Sequence, residues 1–201
     1  MIKIFCMPLG AYQTNCYIVH DSAAKSCAVI DPGYRAQAIL EKTAQLGLAI
    51  EAVLLTHGHF DHVGAVRDLV ALTDCHVYLH TADTAMPPQM TAGPLYYTHS
   101  LQSGEILSLC GLEIGVFHTP GHTPGSVCLM IEDNLFTGDT LFRDSCGRTD
   151  LPGGNGAEIF KSLRRLAALE RDYRVLPGHS MESTLEEERE KRNAVSYFVG
   201  H

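Results

Sequence analysis

The sequence predicts a layered α/β protein with two β-sheets and with helices on their outer sides. Short apolar runs that suit strands alternate with runs whose apolar residues recur at helical spacing. This alternation occurs in two rounds along the chain, which is typical of a layered arrangement. A length of 201 residues suits one domain that buries a sizeable core. We therefore expect a single domain over residues 1–201, although periodicity alone does not distinguish it from other α/β folds.

The first round contains five predicted strands and two predicted helices. The strands lie at Ile2–Pro8, Cys16–His20, Cys27–Asp31, Ala52–Leu55 and His76–Leu79. The helices cover Ala36–Leu46 and Val63–Leu72, where apolar residues follow the helical period. Gly47 can end the first helix. The residues Asp31-Pro32-Gly33 mark a turn after the third strand.

The second round begins after a segment without periodicity, Pro87–Thr98, which we interpret as a surface loop that could wall a site. Strands are then predicted at Ile106–Leu109, Leu112–Phe117, Ser126–Ile131, Leu135–Thr137 and Arg174–Leu176. An amphipathic helix is predicted over Ala157–Leu169. A terminal helix is predicted over Ser183–Tyr197, with Ser183 and Glu186 in the spacing of a capping box.

The charge balance excludes two classes of partner. The chain carries 15 Lys and Arg against 23 Asp and Glu, a formal net charge of −8. A surface with this excess of acidic groups disfavours binding to nucleic acid and to anionic membranes. No apolar run approaches the ~20 residues of a transmembrane helix, and Met1–Gly10 lacks the pattern of a signal peptide. We expect a small-molecule substrate and a monomer or small homo-oligomer.

The seven cysteines include no Cys-x-x-Cys pair. Five of them lie within or beside apolar, strand-like stretches, which is typical of small core residues in a reducing compartment. We therefore expect free thiols and a cytoplasmic location. Cys146, between Ser145 and Gly147, is interpreted as a small loop residue rather than a nucleophile.

The most informative motif is the sequence THGHFDH at residues 56–62. It follows a predicted apolar strand and precedes a predicted helix, so four side chains of metal-binding type lie where the chain changes direction. His57 and His59 are two residues apart and point to the same side of an extended backbone. Asp61 and His62 lie on the next turn and can face a second centre. Neutral imidazole and carboxylate are ligands for Zn, Fe or Mn.

Three further candidates follow predicted strands, and each is next to a glycine. His122 lies in TPGHT, Asp139 in TGDT and His179 in PGH. Glycine allows the backbone to approach a compact site closely. With the first motif these residues make seven candidate ligands, which suits two metal ions that also bind water.

The motifs THGHFDH, TPGHT, TGDTLF and PGH resemble those of the metallo-β-lactamase superfamily of binuclear metallohydrolases. Within it, the chain is similar to short, single-domain relatives of glyoxalase II, the hydroxyacylglutathione hydrolases. The resemblance implies an α/β fold, the four-layer αββα metallo-β-lactamase sandwich. It also implies two divalent metal ions, with Zn favoured and Fe or Mn accepted. The implied ligands are His57, His59 and His122 for the first ion, Asp61, His62 and His179 for the second, and Asp139 as a bridge.

The resemblance implies a reaction in which a hydroxide shared by the metals attacks the carbonyl of a thioester such as S-D-lactoylglutathione. Asp61 and Asp139 are the candidate catalytic carboxylates that orient or transfer the proton. Arg148 and Arg143 are the candidate substrate-binding residues, and a guanidinium suits a carboxylate. Asp150 stands where glyoxalase II has an aromatic residue that contacts glutathione.

Two alternatives remain open from the sequence. A persulfide dioxygenase would share the fold, the ligand motifs and a similar Gly-Arg-Thr-Asp stretch, and it would use one iron, held by residues matching His57, His122 and Asp139. A non-catalytic member of the superfamily would bind metal only for stability, although all seven ligand positions are present. β-Lactam hydrolysis is disfavoured because many such enzymes have a cysteine where this chain has Asp139.

Overall fold

The computed structural model describes residues 1–190 and contains two six-stranded mixed sheets. In spatial order, the first sheet consists of β1 (Ile2–Leu9), β2 (Thr14–Asp21), β3 (Ser26–Ile30), β4 (Ala49–Leu54), β5 (His76–Leu79) and β6 (His99–Ser100). β1, β2 and β3 pair antiparallel. β3 to β6 pair in parallel, with helical connections between successive strands.

The second sheet is built from the second half of the chain. In spatial order it consists of β14 (Ser183–Thr184), β13 (Arg174–Pro177), β10 (Asn134–Gly138), β9 (Val127–Ile131), β8 (Leu112–His118) and β7 (Ile106–Leu109). Only β10 and β13 pair in parallel. A separate small hairpin is formed by β11 (Leu141–Phe142) and β12 (Ser145–Cys146).

The helices are α1 (Ala36–Gln45), α2 (Phe60–Val63), α3 (Val66–Thr73), α4 (Pro88–Thr91), α5 (Gly156–Ala167) and α6 (Leu185–Glu190), with a 3₁₀ turn at Thr81–Ala85. Across residues 1–190, none of these helices has the length and apolar character needed to cross a membrane.

Alternation along β4 shows how the first sheet separates two cores. Ala52 and Leu54 face the second sheet, whereas Val53 and Leu55 face α1 and α3. All four side chains are essentially fully buried. The strand is therefore apolar on both faces, as expected for a sheet covered on both sides.

The second sheet is covered in the same way. On β9, Val127 and Leu129 face the first sheet, and Cys128 between them faces the cluster that contains Ile159 and Leu163 of α5. Three apolar cores thus separate four layers, which confirms the αββα sandwich. Five of the seven cysteines are buried, as the sequence predicts: Cys16, Cys27, Cys75, Cys110 and Cys128.

The helix predicted over Val63–Leu72 is wrong in its boundaries, because the structure has two short helices instead. α2 ends at Val63 and α3 begins at Val66. The amide of Ala65 donates to the carbonyl of Pro32, at 2.9 Å, and not to a carbonyl in its own helix. Apolar spacing continues through the break, so the pattern does not reveal it.

Several short elements depart from the predictions. The segment Pro87–Thr98 includes the one-turn helix α4, which begins with proline at its first position. The two-residue strands β6, β11, β12 and β14 have too few residues to give a sequence period.

The predicted start of the terminal helix is wrong by two residues. Ser183 belongs to β14, and its hydroxyl has no hydrogen-bond partner among residues 1–190, so it does not form the predicted capping box with Glu186. α6 begins at Leu185, and the Thr184 hydroxyl accepts a hydrogen bond from the amide of Glu187 at 3.2 Å. The predicted continuation over 191–197 lies outside the described residues.

We expect Asn155→Ala to lower the free energy of unfolding by about 1 kcal/mol. The Asn155 side chain accepts hydrogen bonds from the amides of Ala157 and Glu158 at the start of α5, at 3.0 and 3.2 Å. Urea unfolding followed by circular dichroism measures the change. Asn155→Asp keeps the acceptor and is the matched control. Equal destabilisation of both variants would contradict the capping role.

Candidate metal centre

The candidate ligands lie where strands of both sheets end. The segment 57–62 follows β4, and His122 lies in the connection between β8 and β9. Asp139 follows β10 and His179 follows β13, and these two strands run side by side in parallel. The amide of Val127 donates to the carbonyl of Thr56 at 2.8 Å, which joins the two sheets next to the site.

His57, His59 and His122 form one group, called here the first triad. One ring nitrogen from each lies within 4.8 Å of the others. His59 Nδ1 is 2.9 Å from His122 Nε2. All three side chains are buried. Within residues 1–190, the Nε2 atoms of His57 and His59 are buried and have no hydrogen-bond partner.

Asp61, His62 and His179 form the second triad, also within 4.8 Å of one another. His179 Nε2 is 3.2 Å from Asp61 Oδ2 and 3.4 Å from His62 Nε2. His62 is fully buried, and Asp61 is buried to nearly the same extent. His179 is partly exposed, so the second triad is the one nearer to solvent.

Asp139 lies between the two triads. Its Oδ2 is 3.4 Å from His122 Nε2, and its Oδ1 is 3.4 Å from His62 Nε2. Asp139 Oδ2 is also 3.6 Å from His179 Nε2. Each oxygen therefore faces at least one triad, as the predicted bridging role requires.

The donor set fits two divalent metal ions. Two ligands on one tetrahedral ion with bonds of ~2.1 Å would be ~3.4 Å apart. The distances around Asp139 are 3.4 to 3.6 Å, close to this value. Buried nitrogen atoms without partners are otherwise costly. A metal ion would occupy the lone pair of His57 Nε2, and imidazole with carboxylate suits Zn, Fe or Mn.

Burial keeps the first triad in the form that binds metal. Burial, together with the neighbouring His122 and His62, lowers the pKa of His59 to about 3. Burial also lowers the pKa values of His57 and His122, the former strongly. The three imidazoles are therefore neutral near pH 7, with lone pairs available to a cation.

Carboxylates control the second triad. Burial disfavours the charged form of His62, but Asp139 and Asp31 outweigh it and raise the pKa of His62 to about 9. Burial would raise the pKa of Asp61, yet the hydrogen bond to His179 and the nearby histidines hold that pKa below its usual range. This half of the site therefore attracts positive charge.

Hydrogen bonds donated by Nδ1 orient four of the five histidines. His62 Nδ1 donates to Asp31 Oδ2 at 2.9 Å. His122 Nδ1 donates to the carbonyl of Arg148 at 2.8 Å, and His179 Nδ1 to that of Tyr12 at 3.1 Å. The remaining bond is 3.1 Å long and runs from His57 Nδ1 to the Thr56 hydroxyl. Each bond leaves Nε2 to face the centre.

Asp31 is the residue on which several of these contacts depend. Besides His62, it accepts hydrogen bonds from the Thr56 amide at 2.8 Å and the Thr56 hydroxyl at 2.6 Å. Asp31 also lies within reach of His57 and His62 as a third possible metal group. Because its oxygens already hold Thr56 and His62, we assign it to orienting the ligands rather than binding metal.

Glycines make room for the compact site, as the sequence predicts. A Cβ on Gly178 would lie 2.3 Å from Asp139 Oδ1 and 2.7 Å from His62 Cε1. A Cβ on Gly147 would lie 1.8 Å from the carbonyl oxygen of Asp139. Both contacts are far too short, so only glycine fits these two positions.

The substrate-binding candidates lie on the surface. Arg148 donates two hydrogen bonds to Asp150, both of 2.7 Å, and 62% of its side chain is exposed. Arg143 lines an open cleft of about 400 Å³ between β1 and β13. Its Nε is 4.0 Å from Asp144 Oδ2.

Cys146, His118 and the segment Pro87–Thr98 lie near the candidate ligands. Burial raises the pKa of the Cys146 thiol, which opposes the thiolate form that a nucleophile needs. His118 Nε2 donates to the carbonyl of Pro124 at 2.9 Å, so it lies near the site at a strand end. Leu95, in the segment Pro87–Thr98, packs beside Gly58. Gly58 lies between the candidate ligands His57 and His59 in the sequence.

Sequence reasoning missed five residues that hold the ligands in place: Tyr12, Thr14, Asp31, Thr56 and Asp83. Thr14 donates to Asp61 Oδ2 at 3.1 Å. Asp83 accepts the amide of Gly58 at 2.8 Å. Thr56 lies in the motif THGHFDH, where its position next to His57 was the available signal. Asp83 follows β5 in the stretch HTAD, which gives no such signal.

Buried imidazoles and carboxylates at the strand ends of an αββα sandwich define a class of metal-binding proteins. Comparison with protein families agrees, because residues 9–179 match the Metallo-beta-lactamase superfamily. The chain therefore belongs to this superfamily, whose members are mostly metal-dependent hydrolases.

Similar sequences span nearly the whole chain. An uncharacterised protein of Mycobacterium leprae is 36% identical over 203 residues, which cover 90% of this chain and 93% of that protein. Hydroxyacylglutathione hydrolase GloC of Haemophilus influenzae is 32% identical over 203 residues, 94% of this chain and 95% of GloC. A probable polyketide biosynthesis zinc-dependent hydrolase of Bacillus velezensis, BaeB, is 34% identical over 84% of this chain and 74% of BaeB.

Solved structures share the fold. BLEG-1 B3 metallo-beta-lactamase has a TM-score of 0.85 and 35% identity, covering 98% of this chain and 100% of that one. TTHA1623, solved in a di-iron-bound form, has a TM-score of 0.81 and 38% identity over 92% and 97%. ETHE1 from Myxococcus xanthus has a TM-score of 0.83 and 27% identity over 98% and 88%.

We expect chelation of bound metal to lower the melting temperature by at least ~5 °C. A ligand at 100 times its Kd stabilises the folded state by ~2.7 kcal/mol, and ~1 kcal/mol shifts a domain of this size by ~2–4 °C. Differential scanning fluorimetry with and without EDTA measures the shift. His59→Ala is the control, because it removes a candidate ligand and should reduce the shift. An unchanged melting temperature in the wild type would contradict the metal centre.

Proposed function

We propose that the protein is a binuclear metal-dependent hydrolase that cleaves thioesters, with S-D-lactoylglutathione as the representative substrate. The observation that carries the proposal is the convergence of two complete triads around Asp139, whose oxygens are 3.4 Å from His122 and His62. Two ions held there would polarise the thioester carbonyl and make hydroxide available near neutral pH.

The carboxylates would guide the proton of the attacking water. The pKa of Asp61 is held below its usual range by His179 and His62 against the opposing effect of burial, so this carboxylate stays ionised at neutral pH. It therefore acts as a hydrogen-bond acceptor that orients water, and Thr14 fixes its direction through Oδ2. Asp139 holds the two triads together and completes the catalytic pair. The proton leaves on the departing thiol.

The second triad favours a hydrolase over the alternative dioxygenase. A one-iron dioxygenase would need only residues matching His57, His122 and Asp139. In this chain His62 is fully buried and fixed by Asp31, and Asp61 is fixed by Thr14. Such bracing of residues outside the one-iron set supports a site built for two ions. The full ligand set also disfavours a non-catalytic role.

The relatives support the same reaction class. GloC is named as a hydroxyacylglutathione hydrolase, and BaeB as a zinc-dependent hydrolase. The name of GloC indicates hydrolysis of an acyl derivative, and the name of BaeB indicates hydrolysis that depends on zinc. Both agree with the donor set of this chain. TTHA1623 in its di-iron form supports two ions and leaves iron as a candidate metal. We propose zinc as the metal and a small thioester as the partner molecule.

The cleft that contains Arg143 is the proposed site for part of the substrate beyond the thioester. It begins beside the His179 loop, where Asn15 Nδ2 donates to the carbonyl of Ser180 at 3.0 Å. It extends along β1 towards Ile4, with apolar walls, the guanidinium of Arg143, and Arg174 paired with Glu182. Such a cleft suits a chain with a carboxylate. Arg148 would first have to release Asp150 to bind the same group.

We expect purified protein to hydrolyse S-D-lactoylglutathione at a rate that EDTA abolishes. Loss of the ultraviolet absorbance of the thioester, with elemental analysis of bound metal, measures the reaction. Asp139→Ala should lose activity and bound metal together, because its two oxygens face both triads. Full activity in this variant would contradict the binuclear mechanism.

Two outcomes would point elsewhere. One iron per chain, together with oxygen consumption when glutathione persulfide is added, would establish the dioxygenase instead. Two bound ions without hydrolysis of lactoylglutathione would keep the metal centre and exclude this substrate. A panel of other acyl thioesters would then identify the acyl or thiol group that the cleft accepts.

We expect Arg143→Ala to raise KM for a carboxylated thioester about 10-fold with little change in kcat, because it removes binding that is equal in ground and transition states. Arg148→Ala should raise KM less, since its guanidinium is paired with Asp150. Steady-state kinetics of both variants and of Arg143→Lys measure the difference. An unchanged KM in Arg143→Ala would remove this cleft from the substrate site.

A further inference from the structure

Asp83 is a fully buried carboxylate with no role in the ligand set. It lies in the 3₁₀ turn that follows β5. Asp83 Oδ2 accepts hydrogen bonds from the Gly58 amide at 2.8 Å and the Thr123 hydroxyl at 3.0 Å. Asp83 Oδ1 accepts the amide of Gly125 at 2.6 Å. Three donors thus satisfy one carboxylate that is shielded from solvent.

These donors belong to two segments that both supply ligands to the first triad. Gly58 lies between His57 and His59, in the loop after β4 of the first sheet. Thr123 follows His122, in the connection between β8 and β9 of the second sheet. Asp83 therefore joins the two segments whose relative position decides where the three imidazoles meet.

Close packing fixes the carboxylate in this position. A Cβ on Gly125 would lie 2.7 Å from Asp83 Oδ1, so only glycine allows the contact. Thr123 is fixed in turn, because its hydroxyl is 2.8 Å from the Ser126 hydroxyl, which also accepts the Thr123 amide at 3.1 Å. Close packing and these hydrogen bonds therefore restrict the positions of the Asp83 and Thr123 side chains.

The second triad is held by different residues. Asp31 orients His62, Thr14 orients Asp61, and the carbonyl of Tyr12 orients His179. None of these contacts involves Asp83. A change at Asp83 is therefore expected to affect one triad and to leave the other in place.

We propose that Asp83 is a positioning residue that sets the metal affinity of the first triad by fixing its two ligand-bearing segments against each other. The inference rests on the proposed metal centre. Asp83 is not a ligand, because its oxygens are occupied by the three donors. Residues that hold metal ligands in this way typically contribute 10–100-fold in affinity.

The test is a Zn²⁺ titration of metal-free protein in competition with a chromogenic chelator. The wild type should show two binding phases. His59→Ala and His179→Ala assign them, because each variant removes a ligand from one triad only. Asp83→Asn should then weaken the first-triad phase 10–100-fold and change the second by less than about 3-fold. The asparagine side chain has one acceptor oxygen where aspartate has two, so at least one of the two ligand-bearing segments loses its hydrogen bond to residue 83.

Two further variants control for a general effect on folding. Thr123→Val removes one of the three donors and should weaken the same phase by a smaller factor, even if Asp83→Asn fails to fold. Thr14→Val, similar in size and equally buried, removes the contact to Asp61 and should weaken the second-triad phase instead. This opposite pattern is not expected from general destabilisation.

Each outcome decides between the proposals. Equal weakening of both phases in Asp83→Asn and Thr123→Val, or no weakening of either, would overturn the positioning role. A single Zn²⁺ phase in the wild type would contradict the binuclear site without touching this inference. In that case Asp83→Asn must still weaken the single phase if His57 and His122 hold the ion, and an unchanged affinity would overturn the role of Asp83.

Discussion

The direction of the imidazole rings is the constraint on which the site depends. Four histidines use Nδ1 to donate to an oxygen of the protein, which turns Nε2 inward. Three of these acceptors are a threonine hydroxyl or a main-chain carbonyl, and only His62 uses a carboxylate, Asp31. Because the acceptors belong to the sandwich itself, the fold determines the donor set before any cation binds. The glycines near Asp139 then allow the strand ends to converge.

Much of the site follows from the sequence because its residues are consecutive or stand at strand ends. The motif at 57–62 places four donors in one loop, and alternation with apolar strands predicts where that loop lies. The four layers follow from strands that are apolar on both faces, as β4 shows. The αββα sandwich came from the family resemblance, since periodicity is the same in many α/β folds, and the order and pairing of the strands were not predicted.

The rest could not be predicted, for physical reasons that differ between residues. Asp83 acts through bonds to main-chain amides far away in sequence, and an isolated aspartate after a strand gives no sign of such partners. The break between α2 and α3 depends on the carbonyl of Pro32, which competes for the amide of Ala65. Ser183 and Thr184 both suit a helix start, but both pair with β13, so α6 begins only at Leu185. Arg148 is engaged by Asp150, a neighbour whose effect depends on side-chain conformation.

The first triad draws ligands from both sheets, and this links the binding of metal to the stability of the folded protein. His59 and His122 are 63 residues apart, and His62 and His179 are 117 apart. An ion that joins such distant positions closes long loops, and the entropy of closure rises only slowly with their length. Metal supply and protein lifetime are thereby linked. Loss of the metal would shift the equilibrium towards the unfolded chain and so increase its cleavage by proteases.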